Sequence, residues 1–399
     1  MIICPPEVCT GCFACRNACP VDCIDEVVDA YGASRPGIDE DRCIRCGNCV
    51  RACPCNNELP FNRPISCQAS WNRDTDVRRR SASGGVAAAL SRHMIGRSGL
   101  VYGTRLDPDL RPVVACASNA REAEAFKGSR YVQSDTGFAF RKIRQDLRSG
   151  RPVLFIGTPC QVAGLKTFLG KEPEFLMTAD LLCHGVCPSS YLEAELKSII
   201  RRRHLQQVDD VRFRGNDGND FKLTLWSAGK RVYCKEAYMQ FYFAGFLRGA
   251  TLRENCLSCR YARPERVSDI TLGDFIGLGV RIPFPDPVRN VSSVLLNTDK
   301  GKRYYEAMLR EEDTMSSIER PYSERLAYAP SLTSPSVPDG RRARFRAAYL
   351  RYGFVRAVRK SLWAGVLRYA VARFIRKRIG YVWRAPGKVL KLLQGRPYR

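Results

Sequence analysis

Short apolar runs alternate with stretches of helical periodicity through the middle of the chain. The runs at residues 152–156 and 175–182 are typical of buried strands, and segments with helical spacing follow at 161–169 and 189–204. A short apolar run bounded by turn residues indicates a strand, whereas a longer amphipathic stretch indicates a helix. This order of strands and helices predicts an α/β domain.

The other periodic segments extend this pattern. Ser190 and Glu193 predict a capping box at the start of the 189–204 helix, and Asn, Asp and Gly residues at 216–220 predict a turn within a small antiparallel insert. Two prolines and little periodicity around Pro60 to Trp71 predict a linker. Further strands are predicted at 113–117, 208–214, 221–226, 231–235, 270–272 and 291–297, and further helices at 86–95, 237–248 and from about 300.

From Arg341 onward, arginines alternate with large apolar residues. This segment holds 18 Lys or Arg and no acid, so it leaves only +7 of the net charge of +25 to the rest of the chain. A spacing of mostly four residues predicts a basic amphipathic helix suited to an anionic membrane surface, with Trp363 and Trp383 at the interface. A solvated helix or one docked to a partner protein is the alternative, and the heavy apolar content argues against nucleic acid, the third option. The apolar positions are Phe345, Leu350, Phe354, Val358, Leu362, Val366, Tyr369 and Ile375.

The composition is that of a globular protein. With 399 residues and 45% hydrophobic content, the chain can form two or three compact units. No signal peptide is predicted before Cys9, and no apolar stretch approaches the roughly 20 residues of a spanning helix. The 19 cysteines, an odd number, favour metal ligands and free thiols over disulfides, so we expect a cytoplasmic protein.

Eight cysteines near the N-terminus repeat one spacing twice. Each copy has gaps of two, two and three residues and ends in Cys-Pro, an arrangement that is typical of a ferredoxin with two 4Fe-4S clusters. In this arrangement the fourth cysteine of each run binds the other cluster. The predicted ligand sets are Cys9, Cys12, Cys15 and Cys53 for one cluster, and Cys43, Cys46, Cys49 and Cys19 for the other. A disulfide framework and a zinc site are the alternatives, but neither requires this repeated four-cysteine run.

Four further cysteines lie at predicted strand ends and loops. Cys160 and Cys183 each follow a predicted strand, while Cys256 and Cys259 form a Cys-x2-Cys pair. Together they could bind a third 4Fe-4S cluster, although a lone pair of this spacing also occurs in zinc half-sites and between bystander thiols. Cys187 is an alternative to Cys183 as a ligand. Cys4, Cys23, Cys55, Cys67, Cys116 and Cys234 belong to no motif and are expected to be small buried hydrophobic residues.

The chain resembles the coenzyme F420 hydrogenase/dehydrogenase beta-subunit family, which includes 7-hydroxymethyl chlorophyll a reductase, over roughly residues 1–300. The blocks that carry the resemblance are Ser-Ala-Ser-Gly-Gly at 81–85, Lys-Gly-Ser-Arg-Tyr-Val-Gln-Ser at 127–134, Gly-Thr-Pro-Cys-Gln-Val-Ala-Gly-Leu-Lys at 157–166, Leu-Cys-His-Gly at 182–185, the cysteine pair at 256–259, and Asp-Ile-Thr-Leu-Gly-Asp-Phe at 269–275. The added Cys187 departs from the family's pattern and leaves the choice between Cys183 and Cys187 open.

The resemblance implies a flavoprotein in which three 4Fe-4S clusters exchange electrons with FAD. It implies that Cys160, Cys183, Cys256 and Cys259 bind the cluster near the flavin, and that glycines at a helix start approach the phosphates, where N–H groups favour negative charge. The implied FAD contacts are Ser83, Gly84, Gly85, Lys127, Gly128, Ser129, Arg130, Tyr131, Gln133, Ser134, Gly157, Thr158, Pro159 and Gln161. His184, beside Cys183, is the candidate proton donor, with a purely structural role as the alternative.

We therefore expect an α/β protein with three parts. An N-terminal two-cluster ferredoxin-like α+β domain at 1–65 precedes an FAD-binding α/β domain at 75–335 and a basic helical tail at 340–399. The expected function is electron transfer between clusters and FAD, with hydride exchange to an organic substrate or an F420-type coenzyme. A non-catalytic electron-transfer subunit is the alternative. Ferredoxin, F420H2 or a partner subunit is the expected redox partner of a homo-oligomer or of a subunit in a complex.

Overall fold

The structure is a computed structural model that describes residues 2–215, 221–286 and 288–379. The turn predicted at 216–220 and the end of the predicted tail, 380–399 with Trp383, lie outside the described residues. Within the described residues no helix combines the length and the apolar character that crossing a membrane requires.

The N-terminal region contains one hairpin and two short helices. The strands β1 (Ile24–Val28) and β2 (Ser34–Ile38) pair antiparallel, and the helices α1 (Ala14–Ala18) and α2 (Asn48–Arg51) contact each other. Cysteines make up most of the core of this region. A core of so few large apolar side chains supplies little hydrophobic stabilisation, so the contacts of this region with the body add to its stability.

An eight-stranded mixed sheet forms the centre of the α/β body. Its strand order is β13-β3-β12-β11-β7-β6-β4-β5, and β4, β6, β7 and β11 run parallel to one another. The strands are β3 Ser66–Asn72, β4 Leu100–Leu106, β5 Pro112–Ala117, β6 Val153–Gly157, β7 Leu176–Leu181, β11 Ile270–Asp274, β12 Ser292–Leu296 and β13 Met315–Arg320.

Helices cover both faces of this sheet. Along β6, Val153 and Phe155 pack in one apolar cluster and Leu154 packs in another on the opposite face. A strand buried on both faces is apolar at every position, which explains why this run was recognisable in the sequence. The helices of the body are α3 Thr75–Arg80, α4 Val86–Gly96, α5 Ala120–Ala123, α6 Ala139–Arg148, α7 Pro159–Leu169, α8 Ser189–Arg203, α9 Phe241–Leu247, α10 Asp299–Glu311, α11 Tyr322–Leu326 and α12 Arg341–Ile379, with 3-10 turns at Glu124–Phe126, Ala237–Met239, Glu254–Ser258 and Pro330–Leu332.

A second, three-stranded antiparallel sheet lies beside the large one. It consists of β8 (Asp210–Arg212), β9 (Lys222–Ser227) and β10 (Lys230–Glu236) in the order β10-β9-β8. Its apolar side packs with α8, α9 and the first part of α12 in one core cluster. The structure therefore contains the small antiparallel insert that the turn residues predicted.

The predicted linker is wrong over its second half. Residues 66–72 form β3, which pairs with β12 on one side and β13 on the other. The strand sequence is rich in small and polar residues, so it lacks the apolar run that marks a buried strand. The α/β body consequently begins at Ser66 and not near residue 75.

The predicted capping box is also wrong. Pro188 occupies the N-cap of α8, while the Ser190 hydroxyl donates to the Gly32 carbonyl at 2.8 Å and Glu193 pairs with Lys197 at 2.5 Å. A capping box is present instead on α7, between Thr158 and Gln161. The Ser190 position thus joins the body to the N-terminal region.

Helix α12 differs from the free amphipathic tail that the sequence predicted. It is interrupted at Gly353, which has φ 69° and ψ 177°. Four of the apolar residues assigned to the membrane-facing stripe are instead buried in the body, where they pack against α8, α9 and the small sheet: Phe345, Phe354, Val358 and Leu362. The first part of the predicted tail is therefore a structural element of the body.

Candidate iron-sulfur and flavin site

Two cavities in the N-terminal region are lined by cysteines. The first, about 300 Å³ of space that is partly open to solvent, is lined by Cys9, Cys12, Cys15 and Cys53. The second, about 280 Å³, is lined by Cys19, Cys43, Cys46 and Cys49. The structure thus brings together the same two sets of four that the spacing grouped, around spaces of nearly equal size.

The two short helices explain why the fourth cysteine of each run joins the other set. Helix α1 carries the chain from Cys15 at the first cavity to Cys19 at the second, and α2 carries it from Cys49 at the second cavity to Cys53 at the first. A helix of about one turn spans roughly 6–8 Å, a short distance that keeps the two cavities adjacent.

Additional thiols lie beside both sets. Cys4 and Cys55 line the first cavity, where the sulfur atoms of Cys4, Cys53 and Cys55 lie within 4.8 Å of one another. Cys23 lines the second cavity, with its sulfur 3.4 Å from that of Cys19. These three extra cysteines were predicted only to be hydrophobic residues, and their closeness in sequence to the motif cysteines was the one available indication of a second role.

A hydrogen bond from Cys4 favours the thiolate form of two predicted ligands. It lowers the pKa of the Cys53 thiol and lowers the pKa of Cys9 to about 6. Thiolates are the form that binds iron. Burial raises the pKa of the other two thiols, Cys12 and Cys15, so these must release protons on binding. The set of four cysteines fits a 4Fe-4S cluster.

The four cysteines of the proposed third site come together at one edge of the large sheet. Cys160 is the second residue of α7, immediately after β6, and Cys183 follows β7, whereas Cys256 and Cys259 lie in and just after the 3-10 turn Glu254–Ser258. The carboxyl ends of β6 and β7 meet at this edge because the strands are parallel and adjacent.

The four thiols of this set influence one another electrostatically. Burial raises the pKa of Cys183 well above its usual range, and the charges of Cys256, Cys160 and Cys259 raise it further. Burial likewise raises the pKa of Cys160 to about 12 and that of Cys256 to about 11. Metal binding by such thiols must release protons, since thiolates are the ligating form.

Cys187 has a different environment. It is fully buried in the apolar core of the body, with its sulfur 3.2 Å from the Thr251 hydroxyl oxygen. Its charge also affects Cys256, but as the weakest of the influences on that thiol. The geometry supports Cys183 as the ligand, and this assignment stays a prediction.

An unpartnered hydroxyl supports the fit of a cluster here. The side chain of Tyr261 is buried, and its Oη has no hydrogen-bond partner among the described residues. Burial raises the pKa of this hydroxyl, with the charges of Cys160 and Cys12 adding to the shift. A buried donor is rarely left unpaired, and the sulfur atoms of a cluster would accept from it.

Close backbone packing leaves no room for side chains at two glycines of the site. A Cβ on Gly185, where φ is +119°, would lie 2.8 Å from Leu252 and 3.2 Å from the Cβ of Cys256. A Cβ on Gly164 in α7 would lie 2.8 Å from the sulfur of Cys12. Because α7 also carries Cys160, the first ferredoxin cavity and the third cysteine set share a wall.

Hydrogen bonds hold the N-terminal region against the body along this wall. Thr136 donates to the Cys12 carbonyl at 2.9 Å, Gln133 donates to the Gly11 carbonyl at 3.1 Å, and Thr167 donates to the Ala52 carbonyl at 2.9 Å. Each of these bonds joins a loop that carries a cysteine ligand to the body, and Thr167 lies in α7. The two units thus present their cysteine sets to each other in a defined geometry.

The segment predicted to meet the FAD phosphates lies at the same sheet edge. The Gly84 N–H donates to the Ser292 hydroxyl at 2.8 Å, and the Ser83 hydroxyl donates to the Val291 carbonyl at 3.2 Å. A Cβ on Gly84 would lie 2.2 Å from the Ser70 carbonyl oxygen, so packing alone already requires glycine there. Gly85 is the N-cap of α4, whose first turn is the remaining anion-binding feature of this segment.

The 127–134 segment divides between the sheet edge and the protein interior. Lys127 pairs with Glu124 at 2.5 Å, and Arg130, next to Gly128 and Ser129, donates to the Lys127 carbonyl at 3.2 Å. The Tyr131 ring packs among Phe246, Phe243 and Phe213, with ring centroids 4.9, 5.2 and 5.7 Å away. Gln133 bonds to the ferredoxin region, as described above, and the FAD contacts of Tyr131 and Gln133 stay predictions.

The 157–161 block positions α7. Gly157 ends β6, Thr158 is the N-cap, Pro159 is the first helical residue, and the side chain of Gln161 accepts from the Thr158 N–H at 3.0 Å. Gln161 also donates to the Ser134 hydroxyl at 3.0 Å. These residues set the direction of the helix start that carries Cys160.

Two arginines near this edge have buried guanidinium nitrogens without a hydrogen-bond partner among the described residues, namely Nε of Arg130 and both Nε and Nη1 of Arg325. Arg325 is buried, and Asp274 at the end of β11 is among the charges it faces. Arg325 was not predicted as a site residue, because it stands in no motif. Unpaired buried N–H groups fit an anionic group such as a phosphate.

His184 is held on both sides of its ring. Nε2 lies 3.3 Å from the Phe246 carbonyl oxygen, and Nδ1 lies 3.2 Å from the Ser336 hydroxyl oxygen. Burial lowers the pKa of the imidazole, which favours the neutral ring. This arrangement favours a structural role, and the predicted proton transfer stays a prediction.

Comparisons with known proteins identify two regions of the chain. Residues 150–319 match the family described as the C terminus of the coenzyme F420 hydrogenase/dehydrogenase beta subunit, and residues 8–57 match the 4Fe-4S dicluster domain. These matches confirm the resemblance predicted from the sequence, and they support 4Fe-4S clusters and an electron-transfer role.

Individual relatives are similar over the ferredoxin region. The chain is 44% identical over 52 residues to NADH-quinone oxidoreductase subunit I 2 of Geobacter metallireducens, covering 12% of this chain and 39% of that protein. It is 43% identical over 53 residues to Ferredoxin 7Fe of Hydrogenibacillus schlegelii, covering 13% of this chain and 62% of that protein. The matches thus span less than two thirds of either relative.

A solved structure is similar over more of the chain. The F420-reducing [NiFe] hydrogenase complex from Methanosarcina barkeri contains a chain that aligns with a TM-score of 0.44 and 15% identity, covering 76% of this chain and 93% of that chain.

Proposed function

We propose that this iron-sulfur redox protein, whose residues 150–319 belong to the coenzyme F420 hydrogenase/dehydrogenase beta-subunit family, passes electrons between three 4Fe-4S clusters and FAD. The supporting observation is the continuity of the cysteine sets. They follow one another from the second ferredoxin cavity, where Cys46 is exposed, through the buried first cavity to the third set at the sheet edge.

The exposure of the predicted ligands differs between the two ends of the proposed electron path. Cys46 and the neighbouring Ile44 are exposed, whereas Cys9, Cys12 and Cys15 are buried. A redox partner can therefore approach the second cavity most closely. Ferredoxin, F420H2 or a partner subunit would exchange electrons there or at the flavin, and the first cavity would connect the two ends.

The residues at the sheet edge fit an anionic dinucleotide. Arg130 and Arg325 offer unpaired guanidinium N–H groups, and the first turn of α4 adds backbone N–H groups. When bound, FAD would interconvert single electrons and the hydride exchanged with an organic substrate or an F420-type coenzyme. Arg214, paired with Asp274 at 2.8 Å, would orient that carboxylate at the same edge.

Anaerobic purification with iron and flavin counts tests the proposal. About 12 irons and one FAD per chain are expected for three four-iron clusters. Arg325→Gln should lower the flavin content and leave the iron content unchanged, because Arg325 belongs to no cysteine set. Arg121→Gln, on the exposed helix α5, is a matched control and should retain both counts. A preparation with full iron and no flavin would contradict the enzyme proposal.

The second candidate is a non-catalytic electron-transfer subunit. The exposed position of Cys46 favours it as well, since this end of the path suits docking to another protein. Reduction of bound FAD by a low-potential donor, followed by turnover with an F420-type coenzyme or another organic acceptor, would distinguish the two. Flavin reduction without turnover of any such acceptor would support the subunit, either as a homo-oligomer or within a complex.

We also propose a cytoplasmic protein that binds the inner face of the cell membrane through the outer part of α12. Trp363, Leu367, Val371 and Ile375 recur every four residues there, and each is about half exposed. The adjoining basic residues would attract anionic lipids. Deleting residues from 341 would also remove the buried residues of α12, so the test requires point substitutions.

Flotation with vesicles that contain phosphatidylglycerol provides that test. The double substitution Leu367→Glu/Val371→Glu should reduce vesicle binding at least tenfold. Leu350→Glu, on the part of α12 before the break and 60% exposed, is the control and should leave binding unchanged. Equal flotation of the double variant and the original chain would contradict membrane binding by this surface.

A further inference from the structure

Arg253 places a guanidinium group at the seam between the ferredoxin region and the α/β body. Its side chain is buried, with the residue only 2% exposed. Nη1 donates to the Ser34 carbonyl at 3.0 Å and to the side chain of Gln133, Nη2 donates to the Cys9 carbonyl at 3.3 Å, and Nε donates to the side chain of Asn255 at 3.1 Å. Every one of these acceptors is a neutral oxygen.

No carboxylate pairs with this cation within the described ranges 2–215, 221–286 and 288–379. The ionisable groups that would favour its charge are the thiols of Cys256, Cys9 and Cys160, which become negatively charged when they bind iron as thiolates, whereas the cation of Arg35 opposes it. Burial lowers the pKa of Arg253, although arginine keeps its charge at any ordinary pH. A buried charge without a counter-charge is strongly unfavourable, so the fold needs an anion at this seam.

The three thiols that face Arg253 belong to two different cysteine sets. Cys9 lines the first ferredoxin cavity, whereas Cys160 and Cys256 belong to the third set. A 4Fe-4S cube held by four thiolates carries a net negative charge, which increases by one on reduction. Clusters in both sets would therefore supply the missing counter-charge from both sides of the guanidinium.

We propose that Arg253 is a counter-cation shared by the first ferredoxin cluster and the third cluster, and that its charge raises the reduction potentials of both. The proposal rests on the three-cluster function above. When one electron crosses the seam, one cluster is oxidised and the other is reduced, and the transferred charge remains next to the same cation. The arginine thus favours the reduced state on either side of the step.

The alternative role of Arg253 is purely structural, as a hydrogen-bonding clip between Ser34, Cys9 and Gln133. Charge and hydrogen-bond geometry can be separated by two substitutions. Arg253→Lys keeps the positive charge but loses the planar set of N–H donors that binds several acceptors at once. Arg253→Met loses both the charge and the donors and keeps an unbranched apolar side chain. A shift in potential that follows the charge is a result that a clip alone would not produce.

The test is an EPR-monitored redox titration of the full chain, purified anaerobically. Arg253→Met should lower the equilibrium constant for reduction of the two clusters at the seam at least tenfold, which is about 59 mV for a one-electron centre. The cluster of Cys19, Cys43, Cys46 and Cys49 should shift less and serves as the internal control. Arg253→Lys should keep the original potentials to within a small fraction of that shift.

Arg35→Met is the matched variant. Arg35 also faces Cys9, but its side chain is 18% exposed and paired with Asp29 at 2.7 Å. Because water screens a partly exposed charge, this variant should shift the first cluster by less than Arg253→Met does. If Arg35→Met shifts the reduction potential of the first cluster as much as Arg253→Met does, or more, the buried position of Arg253 has no particular effect and the proposal is contradicted.

Three outcomes would overturn the proposal. Unchanged potentials in Arg253→Met with about 12 irons retained would refute the shared counter-cation while leaving the three-cluster function intact. Iron loss in Arg253→Lys equal to that in Arg253→Met would assign the residue to the structural clip. About eight irons in the original chain would remove the third cluster and, with it, the sharing of Arg253.

Discussion

Substitution of Gly164 by alanine tests the shared wall between the ferredoxin region and the third cysteine set. Gly164 lies inside α7, where alanine would normally stabilise a helix by about 1 kcal/mol. At this position the new Cβ would lie 2.8 Å from the sulfur of Cys12 and 3.0 Å from its Cβ. Real Cβ atoms essentially never approach another atom so closely.

The contact should outweigh the gain in helix propensity. Overpacking of a filled core costs about 1–3 kcal/mol. Cys12 cannot move away easily, because Thr136 bonds its carbonyl at 2.9 Å and its sulfur is a predicted iron ligand. We therefore expect Gly164→Ala to lower the free energy of unfolding by up to about 2 kcal/mol. Iron release from the first ferredoxin cavity should also become faster.

Anaerobic denaturant unfolding followed by circular dichroism, together with chelator-driven iron release, measures both effects. The control is Gly365→Ala in α12, where the nearest atom would be 3.7 Å from the new Cβ. The free energy of unfolding of Gly365→Ala should rise by up to about 1 kcal/mol, because alanine favours the helix more than glycine does. If Gly164→Ala proves as stable as Gly365→Ala and loses iron no faster than the original chain, the argument for a tight wall is refuted.

Three further predictions concern other residues. Cys183→Ser should reduce the iron content from about 12 to about eight, whereas Cys187→Ser should retain it, and equal counts would contradict the ligand assignment. Graded exposure to air should release iron first from the cluster that includes the exposed Cys46, as followed by EPR, and simultaneous loss of all clusters would argue against the proposed order of exposure. The hydrogen bond from Arg320 holds the pKa of Glu324 below its usual 4.5, so this buried pair stabilises the fold above that pH and the contribution is lost as pH falls through the lower folded-state pKa. Glu324→Gln should therefore cost about 3 kcal/mol at pH 7 and should flatten the acid side of the stability profile, as measured by denaturant unfolding across pH.

Elements with a strong local pattern were predictable because a strand buried on both faces is apolar throughout and a helix buried on one face shows helical periodicity. The segments β6, β7, α7 and α8 correspond closely to the predicted ones. Strand β3 was missed, since its small and polar residues are buried by neighbouring strands that only the folded sheet provides. The same limit explains the Ser190 error, because the hydroxyl bonds to a carbonyl more than 150 residues away in sequence.

The membrane stripe in α12 shows how periodicity misleads. The spacing of apolar residues indicates which face of a helix is buried, but it does not identify what covers that face. In this chain the body covers the face around Phe345, Phe354 and Leu362, whereas Leu350 and several positions from Trp363 outward remain exposed. The membrane proposal now applies to a different set of exposed residues, in which Trp363 and Ile375 come from the original prediction and Leu367 and Val371 are added by the structure.

The amino-acid sequence by itself was enough to predict the ferredoxin cysteine sets, because a short loop brings cysteines two or three residues apart to one point whatever the rest of the chain does. Its motifs were also enough to predict the family whose model matches residues 150–319. It could not determine how the third set relates to the ferredoxin or what neutralises Arg253. Cys160, Cys183 and Cys256 meet only because β6 and β7 are parallel neighbours and a distant turn packs against their ends. Such proximity arises from long-range packing, which local spacing does not encode, and this packing also places the buried Arg253 next to cysteines of both predicted ligand sets.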